Sequence, residues 1–192
     1  MKAFFLLAAV LFNFIAPADA QTSVPLTPEG QALVEAAFEG NLKVVQGLLS
    51  AGVPADVTTP EKQTPLMWAA FNGHTQVVSL LLEKGASLDA LEANSRTALM
   101  YASSGPFPET VELLLEKGAD VNAQGSLEGF TALMTAAAEG HHEVVRLLFV
   151  YGADPALQDK DGDTAETFAT QNGHSDVVTL LRNPPPASST TQ

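Results

Sequence analysis

Four histidines and one aspartate-rich pentapeptide are the residues of this chain with the greatest capacity for chemistry. A histidine can serve as a general base or a metal ligand, and His74, His141, His142 and His174 are the candidates. Their spacing argues against both uses. They are spread along the chain rather than gathered, and no serine stands at a diagnostic distance from any of them. His141 and His142 adjoin at a helix start, where side chains at i and i+1 diverge and make a poor metal pair. There is no cysteine, so no thiol nucleophile exists. Asp159-Lys160-Asp161-Gly162-Asp163 has the composition of a calcium loop, but a helix-loop-helix site needs glycine at the sixth position and a late bidentate glutamate. Here glycine is fourth. The residues therefore predict no enzyme, no metal and no cofactor.

The elements that carry these residues repeat. Gly73-His74, Val77-Val78, Leu80-Leu81-Leu82 and Gly85-Ala86 return as Gly140-His141, Val144-Val145, Leu147-Leu148 and Gly152-Ala153. A shortened copy reads Gly173-His174, Val177-Val178 and Leu180-Leu181, and a middle copy keeps Val111, Leu113-Leu114-Leu115 and Gly118-Ala119-Asp120. Thr64, Thr97, Thr131 and Thr164 open the copies at steps of 33, 34 and 33 residues. A period of this size marks a stacked array. Within one copy, Leu66, Ala69 and Ala70 recur at helical spacing and Asn72-Gly73 ends that helix in a left-handed turn. Val77, Val78, Leu81 and Leu82 form the stripe of a second helix that stops at Gly85. Neither helix buries its apolar face alone, so the pairs must stack. The polar stretch from Gly85 to Thr97 has no helical period and suits a projecting hairpin.

Thr64-Pro65-Leu66, Ala69-Ala70, Gly73-His74, Val77-Val78, Leu80-Leu81-Leu82 and Gly85-Ala86 resemble the ankyrin repeat family in identity and spacing. So does the run from Thr131-Ala132-Leu133 to Gly152-Ala153-Asp154. The fold class expected is mainly α: a solenoid of five stacked helix-turn-helix units with projecting hairpin loops. The units lie near 28–58, 59–91, 92–124, 125–158 and 159–183, after a linker over 21–27 and before a disordered tail over 184–192. The first unit lacks the opening Thr-Pro-Leu and the fifth ends at Arg182, as polar capping repeats do. The resemblance implies a structural hydrogen-bonding role for His74, His141 and His174, and a hairpin-tip role for Asp159 to Thr164. Two departures stand out. The histidine of the family's Thr-Pro-Leu-His is replaced by Met67, Met100 and Met134, then Thr167, which trades a polar staple for flexible apolar packing. The third unit replaces Gly-His with Gly105-Pro106-Phe107-Pro108, a stiffened turn displaying an aromatic whose use, as contact or filler, stays open.

In the family, variable residues of the first helices and hairpins contact partner proteins. Four residues after each unit's opening come Glu35, Trp68, Tyr101, Thr135 and Phe168; seven after come Phe38, Phe71, Ser104, Ala138 and Gln171. One before come Gly30, Gln63, Arg96, Phe130 and Asp163. Rigid aromatics bury much area for little lost entropy and are frequent hot spots. Trp68, Phe71, Tyr101 and Phe130 are accordingly assigned to partner binding, together with Arg96. An acidic rim of Glu61, Glu92, Glu128 and Glu139, with Glu35 and Glu39, surrounds them. Phe38 and Phe168, near the caps, are expected in the core.

The start of the chain reads as a secretory signal peptide over 1–20: Lys2, the mostly apolar run Ala3 to Ile15, and Ala18-Asp19-Ala20 before the cut. The apolar run is too short to cross a membrane, which takes about 20 residues. Cleavage would remove one basic and one acidic residue, leaving the net charge at −13. Such a chain repels phosphate backbones and anionic lipid heads, so nucleic acid and membrane insertion are excluded and a basic protein partner is favoured. The absence of cysteine and of any Asn-x-Ser/Thr acceptor leans towards a bacterial periplasm. Small envelope proteins of the resembled family neutralise cell-wall-cutting enzymes. The expected function is therefore a monomeric, non-catalytic inhibitor or immunity protein that blocks an exported peptidoglycan hydrolase. The alternative is an adaptor that stabilises or activates an envelope enzyme such as a peroxide-detoxifying one.

Overall fold

Every unit opens on a threonine because threonine solves the problem of a helix start, where backbone N–H groups have no partner. In the computed structural model, which describes residues 26–185, Thr64, Thr97, Thr131 and Thr164 cap helices α3 (Pro65–Phe71), α5 (Ala98–Ser103), α7 (Ala132–Glu139) and α9 (Ala165–Gln171). Each Oγ1 accepts from the N–H three residues on, at 3.1–3.4 Å. Met67, which stands where the resemblance calls for histidine, is buried, and its sulfur accepts from Thr64 N at 3.4 Å. The signal peptide assigned to 1–20, and nearly all of the linker and tail, lie outside the described residues.

The first unit lacks Thr-Pro-Leu, as expected, but its helix is capped in a related way. Helix α1 (Pro28–Glu39) does open on a threonine and a proline, one turn earlier than the repeat register, with Thr27 Oγ1 accepting from Gly30 N at 3.1 Å. Among the described residues no unit precedes it, which leaves room for that extra turn. The second helices are α2 (Leu42–Ser50), α4 (Thr75–Glu83), α6 (Pro108–Glu116), α8 (His142–Val150) and α10 (Ser175–Arg182). Helices α1, α3, α5, α7 and α9 pack in one row, and α2, α4, α6, α8 and α10 in another, each touching its neighbours along the row and its own unit's mate. Among the described residues no strand is present. The expected all-helical stack is the observed one.

The core is built of rungs. Leu33, Leu66, Leu99 and Leu133 share one register and are all buried; Val45, Val78, Val111 and Val145 share another. Val77, Val144 and Val177 are buried at a third, where the first unit's Val44 is exposed, no unit preceding it among the described residues. Thr110 takes that valine place in the third unit, fully buried, and meets Thr75 Oγ1 at 2.7 Å across the junction.

Polar bonds bind one unit to the next. His74 Nε2 donates to Phe38 O, His141 Nε2 to Ser104 O and His174 Nε2 to Ala138 O, each at 3.0 Å. A carbonyl can only accept, so Nε2 carries the proton in all three rings. The same rings explain two glycines. A Cβ at Gly40 or Gly140 would fall 2.5 Å from Nδ1 of His74 or His174, and both glycines hold left-handed backbones. In the third unit Phe107 fills the histidine's slot, clasped between Gly73 and Gly105. Of the two uses left open for Phe107, contact or filler, the packing favours filler: the residue is half-buried.

Hairpins close by a recurring device. Thr59 Oγ1, Glu92 Oε1 and Asp159 Oδ1, each five residues before a capping threonine, accept from the N–H four residues on. Two residues before the cap the backbone is left-handed. The last two hairpins place Gly129 and Gly162 there, but the first two place Lys62 (φ 62°) and Ser95 (φ 60°). A side chain in that region is disfavoured by roughly 1 kcal/mol or more. Lys62→Gly and Ser95→Gly should each raise stability by about 0.5 kcal/mol once glycine's greater unfolded-state entropy is set against the relief. Denaturant midpoints at unchanged slope would read the gain. The same change at Lys84, where φ is −91°, should lower stability.

Candidate binding face

The inner helices and hairpins carry an aromatic cluster that crosses three units. Phe38 meets Trp68 with centroids 5.5 Å apart at 78°, and Trp68 meets Phe71 at 6.1 Å and 88°. Trp68 and Phe71 each lie 6.2 Å from Tyr101. Edge-to-face packing of this kind sets the positive rim of one ring against the negative face of the next. Further along, Phe130 packs on Phe168 at 5.5 Å.

These rings are not equally available. Tyr101 is only 5% exposed, which corrects its assignment to partner contact. Arg96 and Gln63, projecting from two successive hairpins, fold over it: Arg96 Cζ sits 4.9 Å from the ring centroid, and Arg96 Nη2 and Gln63 Nε2 donate to the phenol oxygen at 3.2 and 3.1 Å. Glu92, assigned to the acidic rim, is 3% exposed. It closes its own hairpin, accepting from Arg96 N and from Arg96 Nε at 2.9 Å, while Oε2 accepts from Asn94 Nδ2. Arg96 is thereby committed to two partners inside the fold.

Phe38 is corrected in the opposite sense. Expected in the core, it is 45% exposed, since among the described residues no unit packs on that side of its own. Phe168 is buried, as expected of it. Trp68, Phe71 and Phe130 are half-buried, each with part of its ring open. Among the described residues Trp68 Nε1 is a buried donor without a hydrogen-bond partner. Glu61 and Glu139 are exposed; Glu128 is ion-paired with Lys160 of the following hairpin. Two apolar side chains escaped the sequence reading. Leu91 and Leu127 stand exposed on adjacent hairpins, and the signal for them was an isolated leucine in an otherwise polar loop.

Among the described residues no group of three or more histidine, cysteine or acidic side chains could hold a metal. Asp159 Oδ1 is spent on the backbone, accepting from Asp161 N and Asp163 N at 2.9 and 2.8 Å. A depression of about 340 Å³ between α2 and α4 is lined by Leu42, Gln46, Gln76, Ser79, Leu80 and Glu83, a set with a single ionisable group.

A family model for ankyrin repeats in three copies matches residues 33–125 and 123–190. The Notch-regulated ankyrin repeat-containing protein of Homo sapiens is 43% identical over 54 residues, which are 28% of this chain and 47% of that protein. Its counterpart B in Danio rerio gives 43% over 54 residues, 28% and 49%. Potassium channel AKT1 of Oryza sativa subsp. indica is 39% identical over 56 residues, 29% of this chain and 6% of the channel. The aligned stretch spans about half, or far less, of these curated relatives.

Two outcomes follow from the cluster's geometry. Trp68→Ala should cost about 2 kcal/mol of unfolding free energy, because the indole packs on three rings even though part of it is open; an unchanged melting temperature would deny that packing. Burial pushes the Tyr101 phenol above its ordinary value of 10.0, with Glu92 adding to the rise, against the pull of the Gln63 bond and the Arg96 charge. A raised native value means that the neutral ring is favoured on folding. That stabilisation is complete below the unfolded value near 10 and is lost as pH climbs through the native one. Alkaline unfolding should therefore steepen above pH 10. Tyr101→Phe should flatten this dependence, leaving the share of Tyr151, whose phenol burial also raises.

Proposed function

Because this chain belongs to the ankyrin-repeat family, whose stacked repeats are protein-binding modules, we propose that it is an exported, non-catalytic inhibitor that binds and blocks a peptidoglycan hydrolase of the bacterial periplasm. The observation that carries the reading is the open edge of the aromatic cluster: Phe38 exposed, Trp68 and Phe71 half-open, on a chain of net charge −13. Aromatic anchors ringed by carboxylates suit a protein partner with a basic surface. Enzymes that cut an anionic wall polymer often carry such a surface. The leading segment over 1–20 supports export. The open ledge would lie over the enzyme's cleft, with Glu35, Glu39 and Glu61 meeting cationic residues around it.

Charge attraction of this kind speeds association and fades when ionic strength shortens its range to about 10 Å or less. The test is a turbidity assay of peptidoglycan sacculi with envelope hydrolases and rising amounts of the purified protein. Saturable inhibition that weakens with salt is expected. Increased activity of a co-purifying enzyme would favour an adaptor role, and an unaffected hydrolase with a different enzyme bound would overturn the target.

A further inference from the structure

The aromatic cluster is finished differently at its two ends. At the Tyr101 end the chain supplies a guanidinium from within, with Arg96 4.9 Å from the ring centroid and its Nε on Glu92 Oε1 at 2.9 Å. Ring, cation and carboxylate form one closed set. At the Phe38 end the residue is 45% exposed, packed at a steep angle against Trp68, and among the described residues no cation is recorded over the ring. The carboxylates are already there. Glu35, one turn earlier on α1, and Glu39, next along, are both exposed, and α1 contains no lysine or arginine. In the register of the units Glu35 is the counterpart of Trp68 and Tyr101, so it ends that row one rung before Trp68.

We infer that the protein partner delivers an arginine side chain to this end: its guanidinium lies against the exposed side of Phe38 and pairs with Glu35. The arrangement reproduces from outside the Arg96–Tyr101–Glu92 set that the chain builds inside. Arginine fits better than lysine because its planar, weakly hydrated fork stacks on a ring and binds a carboxylate with two parallel bonds. An aliphatic anchor fits worse, since covering Phe38 with it would strip water from Glu35 and Glu39 without pairing them. The inference rests on the protein-binding reading above and adds the chemistry of the docked group.

The test is an NMR chemical-shift titration of the protein with blocked Gly-Arg-Gly and with the same peptide carrying citrulline, the uncharged isostere. Saturable shifts at the Phe38 ring and the Trp68 indole are expected with arginine, and binding weaker by about three-fold or more with citrulline. Glu35→Gln should weaken the arginine peptide about two- to five-fold, and Phe38→Ala should abolish its shifts at Trp68 while those of Arg96 and Tyr101 stay in place. Equal binding of the citrulline peptide, shifts confined to residues away from α1, or no saturation would overturn the inference. Its failure is separable from that of the target. If arginine docks but no hydrolase is inhibited, the target falls and the docking point stands. If Phe38→Ala inhibits a hydrolase as well as the parent does, the docking point falls and the target stands.

Discussion

A helix of seven residues, such as α3, is far too short to persist alone in water, where about 12–15 residues are marginal even for favourable sequences. Its stripe of Leu66, Ala69 and Ala70 is fully buried only because α1 lies on one side and α5 on the other. Stacking is thus the condition on which every other feature depends. It explains why the same register is apolar in unit after unit, and why register positions change character at the ends. Val44 is exposed where Val77, Val144 and Val177 are buried, although all four stand at equivalent places.

Apolar stacking is tolerant of rotation and slip, so polar bonds fix the geometry between units. Three junctions use a histidine that reaches back to the previous unit's carbonyl, at the same 3.0 Å each time. The junction between the second and third units uses none. There Phe107 is gripped by Gly73 and Gly105, and the Thr75–Thr110 hydroxyl pair and the Gln63–Tyr101 bond supply polar links. A ring needs close contact on both faces to replace a directional bond, and the two glycines permit it: a Cβ on either would come within 2.3 Å of the ring. One of the two prolines of this turn also finds a use: Pro108 stands at the first position of α6, where its missing N–H costs nothing.

The repeat, its helices and its capping threonines were legible because each depends on local chemistry: a period, a cap, a left-handed glycine. Burial on the binding face was not, because it depends on what hairpins do. Tyr101 and Trp68 occupy the same register position and read alike in sequence, yet Arg96 and Gln63 fold over only the tyrosine. Glu92 reads as a surface carboxylate among polar neighbours. Its burial follows from its place five residues before Thr97, where Thr59 and Asp159 also accept a backbone N–H. That regularity was present in the sequence, hidden by three different residue types serving one acceptor role. Phe38 was misjudged for another reason: nearness to a cap was taken to mean core, yet on its outer side no described rung covers it.

These corrections converge on a single physical distinction. Rings in the middle of the array are enclosed by neighbouring rungs and hairpins, and their energy goes into stability. Rings at the array's beginning lack one neighbour, so the packing energy that a further rung would supply is left for another molecule. Phe38 has the ring packing of an interior residue on its Trp68 side and solvent on the other. The carboxylates beside it disfavour a second copy of this acidic chain, since like charges would meet without pairing. A group covering that face would leave Glu35 and Glu39 unpaired unless it brought positive charge with it, and the exposed ring beside them would give such a group a fixed place to sit.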